Sequence, residues 1–164
     1  MKTTSYRRLR RDELEEVRDQ FVKFLGVNGI DAATWQRLKV DEPQTADALI
    51  LQFSQLVFDG TLKRIEYLVQ RRPNDLRTYK CGPDKIEMRG VLVSGETSLD
   101  LTDTETSPQD MLITLRSEGA QLRLYSAERA YQEVGREQDI YRIMETEGAL
   151  IDPSEFYETL AKLA

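Results

Sequence analysis

The sequence predicts an α+β fold: an N-terminal helical unit, a small antiparallel sheet of three or four strands, and flanking C-terminal helices. Three observations carry that prediction. Up to residue 60, apolar residues recur at three- and four-residue steps between helix-ending glycines. From Thr61 the pattern changes to short runs of β-formers separated by turn clusters. After an aperiodic polar stretch, helical spacing returns. At 164 residues the chain fits one domain and can bury enough surface to need no disulfide or metal staple. The organisation expected is therefore a single α+β domain over 1–164, with 1–60 helical, 61–93 a β-hairpin part, 94–106 a polar loop and 107–164 mixed and mainly helical.

Taken in order, Asp12 and Glu15 have capping-box spacing, and Leu14, Val17, Phe21, Phe24 and Leu25 form one apolar stripe. A first helix is expected from there to Asn28-Gly29, where glycine supplies the left-handed turn that closes helices. Ile30, Asp31 and Trp35 stand at the positions of a hydrophobic staple around a cap, giving a short second helix with Leu38. Pro43 suits the first turn of a third helix, because its missing amide would have no partner there anyway. Ala46, Leu49, Ile50, Phe53, Leu56, Val57 and Phe58 cover much of that helix, so it is expected to pack on more than one side and to stop at Asp59-Gly60.

Ile65–Val69 reads as a first strand, Arg72-Pro73-Asn74-Asp75 as a turn and Leu76–Cys81 as a second strand. Gly82-Pro83-Asp84 then turns the chain into a third strand, Lys85–Val93, forming an antiparallel hairpin. Gly90 inside it marks a bulge or a close backbone approach. Ser94–Thr106 has no periodicity, and loops of this length are usually functional or mobile. Ser107-Pro108 opens a helix carrying Met111, Leu112 and Leu115 and ending at Gly119. Leu122–Tyr125 reads as a fourth short strand, followed by a helix near Glu137–Thr146 that ends at Gly148. Ile151–Phe156 combines a cap, a first-turn proline, a capping-box Glu and a staple, with Phe156, Leu160 and Leu163 inward on the last helix.

Composition excludes several chemistries. There is no histidine, which removes Ser-His-Asp and Cys-His catalysis, HExxH zinc sites and imidazole proton transfer. Neither a GxxxxGK[ST] loop nor a GxGxxG after a strand is present. Cys81 is the sole cysteine, so a reducing, cytoplasmic setting is expected. As a reactive thiol it would need Lys80 and Lys85 to lower its pKa; the plainer reading is a half-buried strand residue. No apolar run approaches the ~20 residues needed to span a bilayer, and no membrane association is expected. Asp100, Asp103, Glu105 and Asp110 gather around the polar loop, where oxygen ligands could hold Mg²⁺ or Ca²⁺, although EF-hand ligand order and its glycine are missing. Glu66 and Glu87, on neighbouring strands, are a weaker acid–base pair.

Charge is unevenly spread along a chain of net charge −6. Residues 1–11 hold five bases (Lys2, Arg7, Arg8, Arg10, Arg11) and no acid, and residues 61–90 hold eight bases against four acids. Tyr67 and Tyr79 lie among the latter. A basic sheet face with aromatic rings is a surface for single-stranded nucleic acid or another polyanion. Charged strand edges that resist aggregation, and bases that pair with helix carboxylates, explain the same pattern without a ligand.

The stretches Tyr6-Arg7-Arg8-Leu9 with Phe21-Val22-Lys23-Phe24-Leu25, then Ile65-Glu66-Tyr67-Leu68, then Leu124-Tyr125-Ser126 through Glu147-Gly148-Ala149 resemble, in that order, an uncharacterised bacterial family known only as a domain of unknown function. The resemblance implies a small cytoplasmic protein with no assigned activity, and it supplies no site residues. The leading expectation is a non-enzymatic interaction module that engages a protein or polyanion partner, or a second copy as a homodimer. Arg71, Arg72, Arg77, Lys80 and Tyr79 are its candidate anion-binding residues; no catalytic residue, metal ligand or cofactor is assigned. The alternative is an enzyme acting on a phosphate ester with a hard cation held by Asp100 and Asp103. A third reading is a regulatory subunit phosphorylated on the Thr-rich loop.

Overall fold

The computed structural model describes residues 6–163; Lys2, one of the five N-terminal bases, lies outside them. The chain divides into two compact units, Met1–Lys63 and Arg64–Ala164.

The first unit holds α1 (Arg11–Glu16), α2 (Arg18–Val27), α3 (Ala32–Asp41) and α4 (Pro43–Arg64). The single helix expected from Asp12 is two. Its start lies earlier, with Arg10 as the N-cap, because Glu13 rather than Glu15 reaches back. The Glu13 carboxylate accepts from the Arg10 amide at 2.8 Å and from both terminal nitrogens of Arg7 at 2.7 and 2.9 Å. The Val17 amide then bonds three residues back, to Leu14 at 3.2 Å, tightening the last turn and ending α1. Beyond this break the expected punctuation holds: Gly29 closes the segment at φ 74°, and Asp31 accepts from the Thr34 amide at 2.7 Å.

Residues 6–10 lie along α4 through two polar clamps. Gln55 accepts from the Tyr6 amide and donates to the Tyr6 carbonyl, each at 2.8 Å. Buried Ser54 accepts from the Leu9 amide at 2.9 Å and donates to Ile50 at 2.7 Å. Phe21 sits against Trp35 edge-on, with centroids 5.2 Å apart, and against Phe53 at 5.0 Å. The expectation that α4 packs on several sides is corrected: Ala46, Ile50, Phe53, Ser54, Phe58 and Leu62 form one buried stripe, whereas Leu51 and Leu56 are 45% and 59% exposed. Nor does α4 stop at Asp59-Gly60. A helical glycine costs about 1 kcal/mol relative to alanine, less than the roughly 1.5–3 kcal/mol gained by burying a side chain such as Leu62. Local propensity yields to burial.

In the second unit the sheet is antiparallel and has five strands, not three or four. The strands are β1 (Tyr67–Arg72), β2 (Asp75–Cys81), β3 (Lys85–Ser94), β4 (Gln121–Ala130) and β5 (Ala149–Ile151), in the order β4-β3-β2-β1-β5. β4 pairs with β3 along its whole length, from Ser94↔Gln121 to Lys85↔Ala130, well beyond the short strand its apolar residues announced. As an edge strand it is mostly exposed, so its polar half gives no periodic signal. β5 is three residues long, below what any periodicity reveals, and Gly148 before it meets β1 closely. The Arg71 amide donates to the Gly148 carbonyl at 3.0 Å, and a β-carbon on Gly148 would overlap Arg71 backbone.

Helices α5 (Pro108–Ser117) and α7 (Glu155–Ala161) cover one sheet face, where Met111, Leu115 and Leu160 join Val69, Leu76, Val91 and Val93 in the core. Helix α6 (Arg136–Met144) is tied to the other face. There Asp139, 2% exposed, receives Arg129 through two bonds of 2.6 and 2.8 Å. Arg129 holds the Asp139 carboxyl below its ordinary pKa. The last helix starts later than its capping pattern implies. Ser154 takes a left-handed φ of 85°, Pro153 precedes the helix, and Ile151 is exposed in β5 instead of acting as a staple. Asp152 keeps the capping role, accepting from the Phe156 amide at 3.2 Å, while burial raises its pKa. Among the described residues no helix is long and apolar enough to cross a membrane.

Candidate functional site

Side chains alternate between the two faces of a strand, so the register decides which of the predicted basic residues act together. One row across the sheet is Arg72–Asp75–Leu92–Arg123, and the next on the same face is Gln70–Arg77–Gly90–Tyr125. Tyr79 follows on that face, between Leu68 and Met88. Arg71 and Lys80 belong to the opposite face, in the rows Arg71–Leu76–Val91–Leu124 and Tyr67–Lys80–Glu87–Glu128. The five candidate residues are thus divided: Arg72, Arg77 and Tyr79 share a face, and Arg71 and Lys80 do not join them.

Arg71 is an internal clamp. It is 7% exposed, and its guanidinium donates from Nε to the Leu101 carbonyl and from a terminal nitrogen to the Asp103 carbonyl, both at 2.7 Å. The same group lies 4.8 Å from the Phe156 ring centroid. Burial lowers its pKa, and the Asp103, Asp100 and Asp152 charges work against that shift. The polar loop is built around this side chain. Leu101 enters the core at 2% exposure, and its amide donates to the Pro73 carbonyl at 3.1 Å. Asp100 and Asp103 are engaged within the loop: Asp100 accepts from the Thr102 hydroxyl at 2.6 Å and from its amide at 2.8 Å, and Asp103 from the Glu105 amide at 2.9 Å, which lowers the pKa of each. Among the described residues no three acidic or thiol side chains converge as a metal site.

Arg77 is partly neutralised. Its Nε lies 3.3 Å from Asp75 and donates to the Tyr125 hydroxyl at 3.1 Å, while that hydroxyl donates to Asp75 in a short bond. Burial, reinforced by the bond to Asp75, pushes the Tyr125 phenol up to about 12. The Tyr125 ring lies directly over Gly90, where a β-carbon would overlap its far edge. The glycine is therefore a close approach and not a bulge, since the ladder runs through it unbroken. Tyr79 donates its hydroxyl to Gln70 at 3.4 Å, and Gln70 donates onward to Thr146 at 3.1 Å.

Arg72 and Arg123 are exposed and form no ion pair among the described residues. With Arg77 they place three guanidinium groups against one carboxylate, Asp75, on two adjacent rows. On the opposite face Lys80 is exposed beside Glu87, and Lys85 is shared between Glu87 and Glu128 at 3.9 and 3.0 Å. Cys81 is buried, and burial raises its thiol to about 11, the reverse of the shift a nucleophile needs. Glu66 stands outside β1, which begins at Tyr67. Sequence reasoning missed Arg123. The signal was present in the alternation of Arg123 and Tyr125, but its meaning depended on a pairing between strands far apart in the chain.

No curated protein and no solved structure matches this chain. A family model does, over residues 1–164, and the chain belongs to that family, which is described as a family of unknown function (DUF6495).

Proposed function

We propose that the chain is a non-enzymatic, cytoplasmic binding module that meets an anionic partner with the Arg72–Arg77–Arg123 end of its sheet. One observation carries the reading: three guanidinium groups and one carboxylate share neighbouring cross-strand rows on a protein of net charge −6. Arginine suits this task because its planar fork donates two parallel bonds to a carboxylate or phosphate. Asp75 and the Tyr125 hydroxyl hold Arg77 in position, which reduces the side-chain entropy lost on binding. Arg72 and Arg123 flank it as open donors. The burial of Cys81, which raises its thiol pKa, and the absence of histidine support binding over catalysis.

The test is titration of a labelled single-stranded oligonucleotide and of polyglutamate at about 50 and about 300 mM salt, since counterion release makes such binding salt-dependent. Saturable binding that weakens with salt, and about tenfold weaker binding by Arg72→Ala/Arg123→Ala, is the expected result. Equal affinity of the variant, or no saturation with either probe, removes the sheet face as the site.

A further inference from the structure

The helical unit carries a groove of about 800 Å³ between α1, α2 and α3, within the range of ligand-binding clefts. Its floor is apolar: Leu14, Phe21, Leu25, Ile30 and Trp35, with Val22 projecting at 59% exposure. Its lining also includes five bases, Arg8, Arg10, Arg11, Arg18 and Lys39, against two acids, Glu15 and Asp31. Part of this charge is already answered. Arg8 pairs with Asp47 at 2.9 Å, Arg10 lies 3.9 Å from Glu13, and Asp31 is occupied by the Thr34 amide. Arg11, Arg18 and Lys39 make no ion pair among the described residues.

We propose that this groove docks an acidic amphipathic helix of a partner protein. Charge complementarity selects that occupant. Three open cations, Arg11 on α1, Arg18 at the start of α2 and Lys39 late in α3, line one apolar groove. An acyl chain brings a single carboxylate to them. A helix with an apolar stripe and several acids brings enough to answer all three. Dimensions agree: α2 and α3 each have ten residues, or about 15 Å at 1.5 Å per residue, room for two to three turns of a docked helix. Proteins rarely leave an aromatic-floored groove open to water without use for it. The site is independent of the sheet face.

Trp35 is the only tryptophan and lines the groove, so its emission reports occupancy without a label. The probe is a synthetic peptide of about 16 residues, long enough to form a helix once docked, with Leu at i, i+3, i+4 and i+7 and Glu on the flanks. Three comparators complete the set: a scrambled peptide, one with Lys replacing Glu, and sodium decanoate. Saturable change of Trp35 emission with the acidic peptide is expected, about tenfold weaker for the Lys peptide and for Arg11→Ala/Arg18→Ala/Lys39→Ala. Val22→Glu places an acid on the exposed rim and weakens binding similarly, with its circular dichroism unchanged. Arg72→Ala/Arg123→Ala leaves this affinity intact, which separates the site from the sheet face. Equal binding of scrambled or Lys peptide, binding of decanoate in place of the peptide, or no saturation overturns the proposal.

Discussion

Gly90 and Tyr125 are cross-strand partners, and the tyrosine ring occupies the space a side chain would need. A ring end can usually swing away from a new methyl, but this one is held by Asp75 and Arg77. Gly90→Ala should therefore destabilise the protein by about 1–3 kcal/mol, the range for overpacking. In Gly90→Ala/Tyr125→Ala the loss should be smaller than the sum of the two single losses, a coupling that urea denaturation of all four proteins measures. At Cys81 the expectation concerns rate. With its thiol raised to about 11 and its side chain buried, labelling by an aromatic disulfide at pH 8 should be very slow in native protein and rapid in denaturant. Fast native labelling would contradict the burial described here.

Single elements were legible in the sequence where they depend on neighbours in the chain. Asp31 and Ser107 cap helices as their spacing implies, and Gly29 ends a segment in the left-handed region. Elements that depend on distant partners were not. α4 continues through Gly60 toward buried Leu62, β5 exists because Gly148 meets Arg71, and β4 runs for ten residues, not the four from Leu122 to Tyr125, because β3 gives it a ladder. The start of α1 shows the same rule, since Arg7, outside the capping pattern, recruits Glu13. Paired with that guanidinium, Glu13 has a pKa of about 2 instead of the ordinary 4.5. A depressed carboxyl pKa stabilises the folded state above the unfolded value and loses that contribution as pH falls toward the folded one. Between pH 6 and pH 3 the denaturation midpoint followed by Trp35 should fall further for wild type than for Glu13→Gln. Parallel declines would mean that the pair adds nothing to stability.

Across the whole molecule, a charge of −6 coexists with two places where cations outnumber acids, one in each compact unit. Composition revealed the two basic stretches, at residues 1–11 and 61–90, but not how they are used. Register divided the second stretch between two faces and brought in Arg123 from outside it, while folding turned Arg71 inward. Arg123 also stands on β4, a ten-residue strand at one border of the sheet. Such a border can recruit further strands, and charged side chains along it act as gatekeepers against stacking into fibrils. Replacing Arg123 by Val should therefore shorten the lag before thioflavin-positive aggregates form at 37 °C, whereas Lys should preserve it. On the proposed reading, position 123 meets two demands at once: a variant that gave up the anionic partner would also have to find another way to stay in solution.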